Sequence, residues 1–441
     1  MFEREGTAWQ RDTVGLGVWE GRGKVSIQGW GMSPMDRRWD GVSMDKTLGA
    51  YAILAAQRAL EDAGVKPEEV DGLLVCPDNA EGTGGPSGSW GPTRPYFAPP
   101  YDSEEGLSII TGKWVLNNWP ELTNVEYAPV DVPDIGKGLG MTAEALLAGR
   151  CNVAVYIYGM VNLEGRYRRG GEANISDDAT GSRVWTFPWG MSGGNQFSNT
   201  FAIQQYCTEY GTTWDQFLGP FVVNQHRNGR MNPWSFYSLH EQHQLTIEDY
   251  LTSRHIVYPV RIWDCDRPCL AVGAFVLTTG ERAKDMKQKP VYMLNHTEGR
   301  GGGARSSQEV MTDLQGWASL AAQMAYEGSG LTPSEVDIFN PYDGYSGMTP
   351  FWLEGFQWHG VKEGDAHAFF NDDIRVEGPH PFSSSGGNLG NGRSRTSMYI
   401  DSIEQLRGTA GKRQVTVKAE TAICAYAPTG SLAYVCLANS V

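Results

Sequence analysis

The chain has 441 residues, room for two or three units at roughly 100–200 residues per domain. Apolar residues make up 40% and charged residues 20%, a globular balance that excludes a largely disordered chain. Thirty-six Lys and Arg against 51 Asp and Glu leave a formal charge of −15, which repels phosphate backbones and excludes nonspecific nucleic-acid binding. A small anion held in one local basic pocket remains compatible with it.

In chain order, MFEREGTAWQRD carries charges but no apolar run, so no signal peptide is expected. KVSIQGWGM (24–32) reads as a first strand. AILAAQRALEDAGVKPEEVD (52–71) is an Ala-rich amphipathic helix stopped by Gly64, followed by a Pro-x-Glu-Val-Asp turn. The apolar run GLLVCP after it is a buried strand by its length and flanks. Residues 78–106 form a long Gly/Pro loop of the kind used as a lid or a partner contact. MTAEALLAG (141–149) is a helix feeding the strand NVAVYIYGM (152–160). Residues 163–256 are Gly-, Arg- and aromatic-rich and then helical, and read as a cap inserted into the first half.

PVYMLNHTEG (290–299) opens a second half as a strand, and GRGGGARSS (299–307) is a flexible loop without the pattern of a phosphate cradle. ASLAAQMAYEGSGLTPSEVD (318–337) then repeats residues 52–71, with identities that include Ala52/Ala318, Gln57/Gln323, Gly64/Gly330, Pro67/Pro333 and Asp71/Asp337. Twelve identities in twenty gapless positions, with the Gly and Pro punctuation kept, indicate an internal duplication. IDSIEQLRG (400–408) and QVTVKAETAICAYAP mirror the helix and strand of 141–160. The expected architecture is α/β with two related halves, 1–285 carrying the insertion at about 163–256, and 286–441.

The seven cysteines are scattered and odd in number in a chain too large to need disulfide staples. Cys265 and Cys269 form a C-x3-C pair with no second pair at zinc-ribbon spacing, so no metal is expected. No 18-residue apolar stretch occurs, so no membrane span is expected. Together these features read as a reduced, cytoplasmic protein.

The helix-turn-strand duplication, LTIEDYLTSRHIVYPVRIWDCD (245–266), the YDGYSG box (342–347), FSSSGGNLGNGR (382–393) and CAYAPTG (424–430) together resemble the thiolase superfamily. Within it the chain is most similar to the sterol-carrier-protein-X thiolases and the thiolase-like aldolases of steroid side-chain degradation. That resemblance implies layered αβαβα halves, a coenzyme A thioester as substrate and no bound cofactor. It also implies a homodimer, and a small partner combining an OB fold with a zinc ribbon.

The departures from the thiolase pattern bear on the chemistry. Counting back from Gly149 places a thiolase nucleophile near Val132, yet 128–149 contains no cysteine. Without that thiolate an acyl-enzyme route lacks its attacking atom. Tyr342-Asp343-Gly344-Tyr345 stands where thiolases have the asparagine box, and Asn391 stands where the histidine loop has its histidine. Cys424 matches the acid/base cysteine.

A retro-aldol cleavage of a 3-hydroxyacyl-CoA needs no acyl-enzyme, only proton handling and a donor for the thioester enolate. Tyr342 is the candidate for the β-hydroxyl proton, although a core tyrosine with a satisfied hydroxyl fits the same position. Asn391 is the candidate oxyanion donor, or else a turn residue of a Gly-rich loop. Cys424 is the candidate α-proton shuttle, or an inert buried thiol. Arg393 orients the loop, pairs with a carboxylate or contacts the acyl chain, or else is an ordinary solvated arginine; Tyr345 is a candidate substrate-binding residue, and Gly386 and Gly387 are placed beside the pantetheine arm, where side chains would obstruct it. His226 reads as a hydrogen-bonded cap histidine. The competing readings are a Claisen-type thiolase or acetyltransferase, and a noncatalytic thiolase-like subunit that scaffolds a partner.

Overall fold

A computed structural model describes residues 1–78, 105–161, 195–241, 243–300, 310–426 and 431–441. Most of the loop expected at 78–106, the start of the insertion at 163–194, the Gly-rich segment from 301 and residues 427–430 lie outside the described residues.

The first half runs β1 (Val25–Met32), α1 (Leu48–Ala63), β2 (Gly72–Cys76), α2 (Gly112–Asn118), α3 (Ile135–Leu147) and β3 (Val153–Met160). The insertion follows, with α4 (Asn195–Tyr210), α5 (Trp214–Gly229), α6 (Phe236–His240), α7 (Ile247–Thr252) and a hairpin of β4 (His255–Val257) with β5 (Val260–Arg261). β6 (Ala271–Thr279) and α8 (Gly280–Ala283) close the half. The second half runs β7 (Val291–Arg300), α9 (Met311–Ser329), β8 (Ile338–Asn340), α10 (Thr349–Gly355), α11 (Ala366–Phe369), α12 (Gly387–Asn391), α13 (Ser397–Arg407), β9 (Thr421–Tyr426) and β10 (Ser431–Ala438).

α1 shows why these residues form this element. The Thr47 hydroxyl accepts from the Ala50 N–H at 3.1 Å and caps the start, and Gly64 at φ +69° ends the helix in the left-handed region. Its buried face is Tyr51, Ala52, Ala55, Ala56, Ala59, Leu60 and Ala63. The small residues let the helix settle directly on β1, where a Cβ at Gly31 would lie 2.1 Å from the Ala55 carbonyl oxygen. α9 repeats the design and stops at Gly330 with φ +71°.

The sheet order is β2-β3-β6-β1-β7-β10-β9-β8. Reading outward from the centre, β1 answers β7, β6 answers β10, β3 answers β9 and β2 answers β8. The outermost pairs are parallel in both halves. At the centre β1 and β7 share only Ser26↔Tyr292 and Ile27↔Val291, so the sheet is two subsheets hinged on a pseudo-twofold axis. α3 packs on strands of both halves, and α13 on β7, β8, β9 and β10. Two apolar runs without a sequence-based assignment, 271–279 and 431–438, are the antiparallel strands that complete each half. The strand expected over 414–428 is confined to Thr421–Tyr426. Among the described residues no helix is long and apolar enough to cross a membrane.

Candidate active site

α5 of the insertion positions the two loops that carry most of the expected site. Gln225 on this helix donates to Asp343 Oδ2 at 2.7 Å and to Ser383 Oγ at 2.8 Å. Just beyond the helix, Asn232 donates to Asn391 Oδ1 at 2.7 Å. Asp343 also accepts the N–H groups of Asn388 at 2.6 Å and Leu389 at 3.3 Å, which joins the YDGYSG box to the start of α12. These donors favour the carboxylate, but burial outweighs them and lifts the Asp343 carboxyl to about 7. Buried Asp264 completes the stitching by accepting from Trp214 at 3.0 Å, Tyr250 at 2.9 Å and Ser346 at 2.6 Å.

Tyr342 follows β8 and is 3% exposed. Its hydroxyl lies over Gly344, where a Cβ would stand 2.1 Å from that oxygen, so glycine at 344 is what lets the ring fold back on its own loop. Burial pushes the phenol up, while Arg393 and Arg395 pull it back. It is therefore a proton-carrying group at neutral pH rather than a standing phenolate.

Asn391 is fully buried, and both of its amide hydrogens are used within the loop. They go to the carbonyls of Ser385 at 2.8 Å and Gly387 at 2.7 Å. With both N–H groups committed to backbone carbonyls, Asn391 ties α12 to its loop, and an oxyanion role would require it to release one of them. At Gly386 and Gly387 the missing side chains make room for neighbouring protein. A Cβ at Gly386 would lie 2.2 Å from the Gly229 nitrogen, and one at Gly387 1.9 Å from Asp343 Oδ2.

Cys424 is fully buried in mid-strand β9, and its thiol faces the Val435 carbonyl at 3.6 Å. Burial raises that thiol well above its ordinary range, so it carries its proton at neutral pH. Among the described residues no hydrogen bond links Tyr342, Asn391 and Cys424. The residue of β9 that stands beside Tyr342 is Tyr426, edge-on with ring centroids 6.0 Å apart.

Arg393 is 2% exposed and donates through Nε to Asp266 at 2.7 Å, a buried ion pair. Tyr345 is 5% exposed, with its phenol raised by burial. His226 is buried against Tyr237 and Trp263, and burial lowers it to about 3, so it stays neutral. Near the vacant nucleophile position, the Val132 N–H donates to Asp78 at 3.2 Å, and burial lifts that carboxyl to about 6. Among the described residues no group of three or more His, Cys, Asp or Glu is placed to hold a metal ion.

Sequence reasoning missed Arg395, Tyr158 and Tyr426. Arg395 Nη1 donates to Tyr426 at 2.6 Å and to Tyr158 at 3.3 Å. Gly72 pairs with Ala154 and Ile338 with Ala422, so the duplication makes Tyr158 and Tyr426 equivalent positions in the two halves. The arginine thus bridges the halves. Two signals pointed to it: the second arginine of GNGRSR and a tyrosine near the end of each equivalent strand.

The thiolase C-terminal domain-like family matches residues 303–436. A steroid side-chain-cleaving aldolase of Thermomonospora curvata is 27% identical over 379 residues, covering 82% of this chain and 85% of that protein. A 17-hydroxy-3-oxo-4-pregnene-20-carboxyl-CoA lyase of Mycobacterium tuberculosis is 27% identical over 396 residues, covering 85% and 91%. Among solved structures, the Ltp2-ChsH2(DUF35) aldolase aligns with a TM-score of 0.72 at 20% identity over 95% of this chain and 98% of that one. Its duplicated halves and mirrored sheet have the thiolase fold, and its C-terminal part, 303–436, matches the thiolase C-terminal domain-like family.

Proposed function

We propose that the chain is a carbon–carbon lyase that cleaves a 3-hydroxyacyl-CoA by a retro-aldol reaction, releasing a ketone or aldehyde and a shortened acyl-CoA. The observation that carries this reading is the exchange at the site: no cysteine in 128–149, and an arginine-flanked phenol, Tyr342, in the box. The names of the two 27%-identical relatives support the same reaction class and a steroid or other bulky hydrophobic acyl group.

In the reaction the β-hydroxyl proton leaves as its O–H electron pair forms the carbonyl. The Cα–Cβ bond breaks, its pair passes to the α-carbon and the thioester oxygen, and a proton returns to the α-carbon. Tyr342 is protonated at rest, so its role is to accept the β-hydroxyl proton as it passes its own to a relaying water; one proton leaves the β-hydroxyl, one reaches the α-carbon, and the phenol ends the cycle protonated. Asn391, Gly386, Gly387 and Asp343 act on this step by holding the loops in register. Coenzyme A enters as part of the substrate, and the protein itself holds no cofactor in this scheme.

A DUF35-type partner, the OB-fold and zinc-ribbon protein expected from the resemblance, is proposed by analogy with the Ltp2-ChsH2(DUF35) aldolase. A homodimer and a cytoplasmic location are proposed with it. The test is turnover of a panel of 3-hydroxyacyl-CoAs with and without such a partner. A carbonyl product together with a shortened acyl-CoA supports the reading, and no cleavage under either condition removes it.

A further inference from the structure

Arg395 is 2% exposed, and among the described residues no carboxylate lies within ion-pair distance of it. The other deeply buried arginines are paired: Arg393 with Asp266, Arg407 with Asp62, and Arg413 with Asp401. Its neighbours are the phenols of Tyr426 and Tyr158, which accept from it at 2.6 and 3.3 Å, and the Tyr426 ring, whose centroid lies 4.6 Å from the guanidinium carbon. Its Nε is buried and, among the described residues, has no acceptor. A guanidinium taken out of water without a counter-charge costs several kcal/mol in general. The backbone adds to that cost, because Arg395 sits at φ +61°, a region that residues with a Cβ avoid. An anion arriving with the ligand would supply the counter-charge that the fold does not.

The two phenols on Arg395 differ in what their own hydrogens do. Tyr158 donates to Met160 Sδ at 3.2 Å, so its hydrogen is used. Tyr426 accepts from Arg395 at 2.6 Å, and among the described residues nothing accepts its hydrogen. A phenol that accepts from a cation is polarised into a stronger donor.

We propose that Arg395 and the Tyr426 hydroxyl form the oxyanion-stabilising group of the site, with Tyr426 donating to the thioester oxygen and Arg395 balancing the enolate charge. The inference rests on the retro-aldol reading. When the Cα–Cβ bond breaks, its electron pair delocalises onto the thioester oxygen; Tyr426 keeps its proton and shares it. The charge disappears when the α-carbon is protonated.

The test uses Tyr426→Phe, Arg395→Met and Arg395→Lys in two assays, with thermal melting of each variant. One assay is cleavage of a 3-hydroxyacyl-CoA that the wild type accepts. The other is deuterium incorporation at the α-carbon of propionyl-CoA in D2O, which needs the enolate but no carbon–carbon cleavage. Tyr426→Phe and Arg395→Met should each lower kcat about 10²–10³-fold, the range for removing one oxyanion donor, with KM within about threefold. Deuterium exchange should fall in proportion, Arg395→Lys should lose less than Arg395→Met, and the melting temperature of Arg395→Met should hold or rise. If Arg395→Met does not fold, Tyr426→Phe carries the same expectation.

Turnover of Arg395→Met or Tyr426→Phe within about threefold of wild type overturns the assignment. So does a rise in KM at unchanged kcat, which would mean ground-state binding of an anionic substituent. A wild type that neither cleaves nor exchanges overturns the retro-aldol reading itself, and this inference with it.

Discussion

At the scale of single residues, Tyr342 and Asn391 divide chemistry from support. Tyr342→Phe removes one hydroxyl from a ring packed edge-on against Tyr426, so the fold should persist. If the phenol moves the β-hydroxyl proton, kcat should fall about 10²–10⁴-fold with little change in KM, measured by steady-state kinetics. Asn391 should behave in the opposite way. Asn391→Asp turns a carboxylate oxygen toward the carbonyls of Ser385 and Gly387, where two N–H donors now stand. Denaturant melts should show a loss of at least about 2 kcal/mol, since buried acceptors would be left facing an acceptor. The sequence placed Asn391 in the right loop but could not reveal its work, because spacing specifies neither a rotamer nor the partners of an amide. Arg395 was hidden for a related reason: nothing in GNGRSR separates an arginine with a buried counter-ion from one without.

At the scale of elements, the short helix α12 and the loop before it are held by Asp343 and by α5. Asp343 carries a measurable signature of that joint. Its folded pKa of about 7 lies above the unfolded value near 3.9, so the native state binds the extra proton. Its contribution is therefore most favourable below about pH 4 and is lost as the pH rises through about 7. Urea midpoints taken across that window should show this group's share of stability falling with pH, and Asp343→Asn should flatten the dependence. The helices that bear the duplication were legible, since each combines an Ala-rich face with a glycine stop and a Pro-x-Glu-Val-Asp turn. The strands β6 and β10 were not. Both are continuous apolar runs without alternation, buried on both faces, so their pairing depends on strands far away in the chain.

At the scale of the whole molecule, two mirrored halves bring β8, β9, α12 and the arginine loop together, while the position of a thiolase nucleophile holds no thiol. The described cysteines are all free, six buried and Cys265 partly so, and burial raises every one, Cys207 to about 11 and Cys436 to about 12. Iodoacetamide at neutral pH should therefore leave the native enzyme active over the time that inactivates a thiolate enzyme, and label it only on unfolding. The central claim concerns which bond-making partner the reaction uses. A Claisen thiolysis consumes one free coenzyme A per cleavage and passes through an acyl-enzyme; a retro-aldol cleavage does neither. The direct measurement is a single turnover without free coenzyme A, run in parallel on a 3-hydroxyacyl-CoA and on the matching 3-oxoacyl-CoA, with products and intact protein mass read together. The account predicts one carbonyl product and one shortened acyl-CoA per substrate with the protein mass unchanged. An acyl adduct on the protein from the 3-oxoacyl-CoA, or cleavage confined to that substrate and dependent on added free coenzyme A, would contradict it.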